Sequence, residues 1–386
     1  MDDDFSRAVQ EVFVQLHDEG LIYRGDYLVN WDPKNETALS DEEVDNVERD
    51  GHLWYIQYPL ADADNEFVTI ATTRPETMLG DTAIAVNPDD ERYTDLVGRS
   101  VILPLLGREI PVIADDYIDS DFGTGALKVT PAHDENDFEI GQKHDLETIN
   151  VMSTTGHINE NGGPYEGVER FEARTQIVAD LEAKGLLVKT EEHVNSVPIS
   201  SRSGAVIEPL LSRQWFVKME PLAEPAMEGV KSGEIQFYPE RWANEYFRWM
   251  DNIRDWCISR QLWWGHQIPV WYYTDANGAP DPERGYVVSI DRPDTGEEMV
   301  QDEDVLDTWF SSWLAPFASL GWPDETDALD TFYPSDVLVS GYDILFFWIA
   351  RMIMAGYQFT GEPPFRHVFI TGMVKDEQGR WMSKSL

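Results

Sequence analysis

Cysteine is almost absent: Cys257 is the one cysteine in 386 residues, so the chain can form no internal disulfide and no cysteine-rich zinc site. A reducing compartment, the cytoplasm, is the expected setting, and no protein-bound zinc is expected. Lysine is scarce too, at nine of the 29 basic residues, with arginine supplying the other 20. Against them stand 72 acidic side chains and a net charge of −43. Such a chain lacks the basic footprint with which proteins normally neutralise nucleic-acid phosphates, so any RNA contact must be local. An acidic, lysine-poor surface suits a protein that stays soluble in concentrated salt, where charge repulsion is screened, and a halophilic source is expected. Long apolar runs are missing as well. The most apolar stretch, 344–350, is cut by Arg351 and is too short to span a bilayer, which predicts a buried helix and no membrane partner. The first residues are acidic rather than basic, so no signal peptide is expected.

What the chain does have is enough apolar material to fold. Hydrophobic residues make up 42% and aromatic residues 12%, which excludes disorder, and the length suggests two or three domains. Residues 4–19 place Phe5, Val9, Val12, Phe13 and Leu16 on one helical face, with Gly20 as the stop. A compact turn is expected at Tyr23-Arg24-Gly25-Asp26, then a short strand. From about 50 to 195 the texture is β-rich. Strands are predicted at 67–72, 83–86, 101–103, 111–113 and 126–130, spaced as in a barrel or compact sheet, and a helix near 170–184 carries Phe171, Ile177, Val178 and Leu181. After about 196 the pattern returns to α/β. A tryptophan-rich helix is expected from 240 to 251, a buried parallel strand at 337–340 before the apolar helix, and a further strand at 367–371.

Two stretches of the β-rich region carry chemistry. In Thr72-Thr73-Arg74-Pro75-Glu76-Thr77, Pro75 removes a ladder donor and ends the strand, freeing Arg74 and the hydroxyls to line a pocket. In 122–137, Gly123 and Gly125 allow close backbone approach, and strand alternation puts Lys128 and Thr130 on one face. A helix beginning after Pro131 would bring Asp134 and Asp137, three apart, together. Two carboxylates beside hydroxyls and a lysine suit an α-ammonium group, a small hydroxylated side chain and a bound water. The same residues also allow a divalent-cation site made by His133, Asp134 and Asp137, with His133 otherwise structural.

Taken together these stretches resemble the editing pocket of valyl-tRNA synthetases, a branch of the class I aminoacyl-tRNA synthetases, and the phrase Arg74-Pro75-Glu76-Thr77-Met78-Leu79-Gly80-Asp81 sets the isoleucyl and leucyl branches aside. Three further stretches share the resemblance. Trp263-Trp264-Gly265-His266 and Asp307-Thr308-Trp309 look like walls of the amino-acid pocket. Trp381-Met382-Ser383-Lys384-Ser385 looks like the Lys-Met-Ser-Lys-Ser loop that closes on ATP, with Trp381 where the first lysine stands in the family.

The resemblance implies a partial Rossmann-like parallel-sheet core interrupted by an inserted β-rich editing domain. Residues 1–49 would belong to the first half of the core, 50–195 to the insertion and 196–386 to the second half. The family's His-Ile-Gly-His segment is missing, so the chain is expected to be a fragment. By the same resemblance Asp137 anchors the ammonium of a misplaced threonine, while Thr77, Lys128, Thr130 and Asp134 position its hydroxyl or the attacking water. Arg74 and Phe122 meet the terminal adenosine. Trp264, Trp309 and Asp343 serve the substrate site, and Met382, Ser383, Lys384 and Ser385 bind ATP, with Lys384 retained as the catalytic cation. ATP with Mg²⁺, valine and tRNA(Val) are the implied partners, and the protein is expected to be a monomer. A freestanding editing deacylase and a non-catalytic tRNA-binding fragment stay open as alternatives.

Overall fold

The computed structural model describes residues 2–379 and Met382. They form two compact units, one made of residues 1–25 and 214–386 and the other of 26–213, so the chain leaves the first unit and returns to it.

In the discontinuous unit the first element is the helix Asp3–Asp18. The Asp2 carboxylate caps it by accepting from Phe5 N at 3.0 Å, and Asp3 and Asp4 in the first turn complement the helix dipole. Its Val9, Val12, Phe13 and Leu16 are buried as the periodicity predicts, and Phe5 is half-buried. The expected turn at 23–26 is instead continuous strand, Ile22–Asp32; Gly25 is taken up in the ladder rather than used to reverse the chain. A three-stranded parallel sheet follows, with Phe365–Thr371 between Gln236–Tyr238 and Ser335–Gly341. Helices Arg241–Met250 and Glu220–Lys231 share its core with the apolar segment Leu345–Ala350, which runs on as the helix Arg351–Thr360 and ends at Gly361. Arg351, which interrupts the apolar run in the sequence, is buried with its guanidinium 3.8 Å from the Trp256 ring centroid. The strand predicted at 337–340 is parallel but not buried. Val337 is 48% and Val339 62% exposed on one face of the strand, while Leu338 is half-buried and Ser340 buried on the other.

The 26–213 unit is built on a long ribbon. Val44–Pro59 pairs antiparallel with Leu187–Ser200 from Val44↔Ser200 to Ile56↔Leu187, and with Phe67–Thr72 on its other side. Boundaries at 50 and 195 would cut this ladder. The stretch 44–52 escaped sequence reading because it is a solvated ribbon, with charged residues on both faces and no apolar alternation. A second, mixed sheet has the order Ser100–Ile102, Glu109–Ala114, Ala83–Val86, Ala126–Val129. Its buried strand Ala83–Val86 turns Ile84 and Val86 to one apolar cluster and Ala83 and Ala85 to another. The helix Arg170–Ala183 buries Ala173, Ile177 and Leu181, but Phe171 stands outward.

Candidate functional site

A cavity of about 430 Å³ opens in the 26–213 unit, and Arg74, Thr77, Phe122, Lys128, Thr130, Asp134 and Asp137 all line it. Three local structures deliver them. After the strand Phe67–Thr72 the chain winds into the short 3-10 helix Pro75–Gly80, with Pro75 at its start, where the missing N–H costs nothing. That turn is wholly buried and projects Thr77 inward, while Asp81 sits at its end. From the facing strand Ala126–Val129, Lys128 and the following Thr130 point the same way and Val129 packs on the opposite side. Gly125, at φ +76°, lets the preceding loop fold back; a Cβ there would lie 2.4 Å from Arg92 Nη2. The third element is the helix Glu135–Lys143. Asp134 caps it, accepting from Asn136 N at 2.9 Å and Asp137 N at 3.1 Å, while Asp137 in the first turn is buried at 5% exposure.

The floor is a closed hydrogen-bond network. Lys128 Nζ donates to Thr77 Oγ1 at 3.0 Å, to Asp81 Oδ1 at 3.3 Å and to Thr130 Oγ1, so its three protons have three acceptors. Thr130 Oγ1 in turn donates to Asp81 Oδ1 at 2.6 Å, Thr77 Oγ1 donates to Arg74 O at 3.0 Å, and Tyr58 Oη donates to Asp81 Oδ2 at 2.7 Å. The protons of these three hydroxyls are committed within the protein. The two threonine oxygens therefore offer lone pairs to whatever enters. Burial pushes the Asp81 carboxyl above its ordinary value, against the pull of Lys128, Thr130 and Tyr58. Asp137 accepts from Thr130 N at 2.8 Å. Burial drives its carboxyl up to about 7; Lys128 opposes this and Asp134 and Asp81 add to it.

His133 lines the same cavity, but its Nε2 accepts from Val151 N at 3.0 Å. Burial, with Arg74 and Lys128 nearby, pushes it down to about 3, so it is neutral. His133 Nε2 is thus not free to join Asp134 and Asp137 in holding a cation. Among the described residues no group of three or more His, Cys, Asp or Glu is arranged to hold a metal ion.

The rim is aromatic. Phe122, 67% exposed, and Tyr117 flank the opening. Arg74 is fixed by the buried carboxylates of Glu76, at 3.2 Å from Nε, and Glu208, and by His133 O. Sequence reading missed Tyr58, Asp81, Glu208 and Tyr117. Asp81 lies inside a quoted phrase and could have been picked out as an acid following a buried turn, whereas Glu208 lies 134 residues from Arg74 and gave no local signal.

The cavity lining does not include Trp264, Trp309 or Asp343. In the other unit Trp264 is 72% exposed, Trp309 packs on Phe347 with centroids 5.3 Å apart, and Asp343 is exposed just after the edge strand Ser335–Gly341. Met382 is exposed, its N–H bonded to Val374 O at 2.9 Å. Trp381, Ser383, Lys384 and Ser385 lie outside the described residues.

A parallel-sheet unit interrupted by a β-rich insertion that carries a cavity floored by hydroxyls, a lysine and carboxylates defines a class, and the comparison with known families agrees. The family model for class I tRNA synthetases (I, L, M and V) matches residues 1–386, and the chain belongs to that family. Within it, the similar curated proteins are valine--tRNA ligases. That of Clostridium tetani is 56% identical over 391 residues, covering all of this chain and 44% of that protein. Those of Legionella pneumophila (strain Lens) and Thermotoga maritima are each 57% identical over 386 residues, covering all of this chain and 42% and 44% of theirs. The chain spans less than half the length of these relatives.

Proposed function

We propose that the chain is the editing domain and part of the catalytic core of a valine-tRNA ligase. The whole enzyme would join valine to tRNA(Val) with ATP, taken as its magnesium complex, and would clear threonine attached in error. The need is physical: a hydrophobic site sized for valine cannot strongly reject threonine, its near-isostere, a limit already familiar for valyl enzymes. A second, polar pocket can act on the hydroxyl that valine lacks. We assign the core to the discontinuous unit and editing to the 26–213 unit. The relatives' names support valine as the cognate amino acid.

The observation that carries the editing role is the floor of the cavity, where Thr77 and Thr130 have their protons turned away and Asp137 stands beside them. The threonyl hydroxyl donates to those oxygens, and the Asp137 carboxylate receives the α-ammonium. Lys128 holds both threonines in place. Asp134, exposed at the helix start, faces the water that attacks the ester carbonyl. The acyl C–O bond then breaks, giving free threonine and the freed ribose hydroxyl of the tRNA. Arg74, Phe122 and Tyr117 at the mouth serve the terminal nucleotide. Lys384 and its neighbouring serines would act on ATP in the same enzyme, with Trp264, Trp309 and Asp343 at the amino acid; a monomer in the cytoplasm is the expected form. Among the described residues no helix is long and apolar enough to cross a membrane.

The test is deacylation of threonyl- and valyl-tRNA(Val) by this chain in concentrated potassium chloride, beside Asp137→Ala. Selective loss of the threonyl ester that vanishes in the variant is the expected result; equal hydrolysis of both esters, or an unaffected variant, would remove the editing assignment. Valine-dependent pyrophosphate exchange, run alongside, separates a ligase fragment from a freestanding deacylase.

A further inference from the structure

Behind the cavity wall runs a line of alternating charges. Arg174 grips Glu76 with Nε and Nη2, both at 2.7 Å; Glu76 also takes Arg74 Nε; Arg74 Nη2 reaches Glu208, whose other oxygen lies 3.2 Å from Arg170 Nη1. The two glutamates and Arg170 are buried, while Arg74 and Arg174 are partly exposed. Burial alone would raise the Glu76 carboxyl, but Arg174 and Arg74 hold it below its ordinary value. Glu169, 3.8 Å from Arg170 Nε, is the exposed and solvent-screened end. Three guanidiniums stand against three carboxylates, two of them buried, so the line carries no excess negative charge in a protein of net charge −43. Only Arg74 among the three arginines lines the cavity. Its bonds to Glu76, His133 O and Glu208 use three of its five N–H hydrogens, and they fix the plane in which the other two lie.

A buried ion network is costly to assemble, and its return in stability is often small. Here it has a second use. The cavity wall carries Asp134 and Asp137 as well as Arg74, so it offers negative charge to one part of a ligand and positive charge to another. A ligand that fits is cationic at its amino acid and anionic along its RNA, and on so acidic a molecule the anionic part needs a cation held in place, as Arg74 is by Glu76 and Glu208.

We propose that Glu208, with Glu76, is a positioning residue for the editing reaction: it holds the Arg74 guanidinium rigidly at the cavity so that the phosphodiester end of an aminoacyl-RNA is bound there, without touching the substrate itself. The proposal rests on the deacylase reading given above.

The experiment is a double-mutant cycle on the full chain with threonyl-tRNA(Val) as the probe. Arg74→Ala and Glu208→Gln should each raise KM about tenfold, the middle of the range for residues in contact, with kcat within about twofold. The threonyl-over-valyl preference should persist, because Lys128, Thr130 and Asp137 are untouched. The double variant should be no worse than Arg74→Ala alone. Full additivity in the double variant, or a Glu208→Gln chain with unchanged KM, would overturn the proposal, as would a fall in kcat with loss of preference. If Glu208→Gln does not fold, Glu208→Asp keeps the charge but withdraws it by one methylene, and the same cycle is run with it; a KM rise that disappears in the Arg74→Ala background is again the supporting result, and an additive or absent rise the refuting one. A wild-type chain that spares threonyl-tRNA would fail the deacylase reading instead, before any variant is compared.

Discussion

Asp137 sits where two demands conflict. As the anchor for an ammonium it must be ionised, yet its burial places the carboxyl at about 7. Only the carboxylate form attracts the substrate cation, so threonyl-ester hydrolysis by this chain should fall about tenfold per pH unit below roughly 7, and fall again above about 8 as the substrate's α-ammonium loses its proton. The same shift has a consequence for stability. A folded-state value above the unfolded one means that the native state binds the proton more tightly, so this residue's stabilising contribution is complete below the unfolded value and is lost as pH rises through about 7. Asp137→Asn should therefore raise the melting temperature more at pH 8 than at pH 5, and a difference independent of pH would refute the assignment. The residue type and its three-residue spacing from Asp134 could be read from the sequence. Its burial could not, because burial comes from the Thr130 strand and the Asp134 cap closing around it.

At the scale of elements, the helices Glu220–Lys231 and Arg351–Thr360 approach closely where Gly229 meets Tyr357. A Cβ on Gly229 would lie 2.0 Å from Tyr357 Oη and 2.7 Å from Cζ, and the hydroxyl is itself tied to Glu234 at 2.8 Å. Alanine in a helix interior gains about 1 kcal/mol over glycine, but forcing an extra methyl into packed space costs about 1–3 kcal/mol, and a ring that cannot retreat puts this site at the upper end. Gly229→Ala should thus lower the urea midpoint by the equivalent of about 2 kcal/mol with the slope unchanged; an increase would show that the ring moves aside freely. Elements with a strong period, such as Asp3–Asp18 and Phe67–Thr72, were legible in the sequence. The ribbon Val44–Pro59 was not, since its stability comes from pairing with residues about 140 positions away rather than from a buried face of its own.

For the whole molecule, the charge of −43 sets the response to salt. Exposed carboxylates repel one another over a screening length of about 10 Å at 0.1 M and about 3 Å at 1 M. The buried pairs Lys128–Asp81 and Arg260–Asp307 are shielded from the solvent and should scarcely respond. Thermal unfolding should accordingly shift upward as potassium chloride rises across that range. A flat or falling midpoint would argue that the acidic surface is already neutralised and would remove the halophilic expectation.

The sequence by itself determined the charge, the single thiol, the helical and strand periods, and the residue types that fill the cavity, because each is a property of a residue or of a short window. Tertiary structure decided which of them act together. Lys128 finds Thr77 and Asp81 at separations of 51 and 47 residues, and Arg74 finds Glu208 at 134. It also decided which face of the parallel strand Ser335–Gly341 is covered, since Val337 and Val339 are exposed while Ser340 on the opposite face is buried. Local pattern reports what a segment can bury; only the packed chain reports what it is buried against.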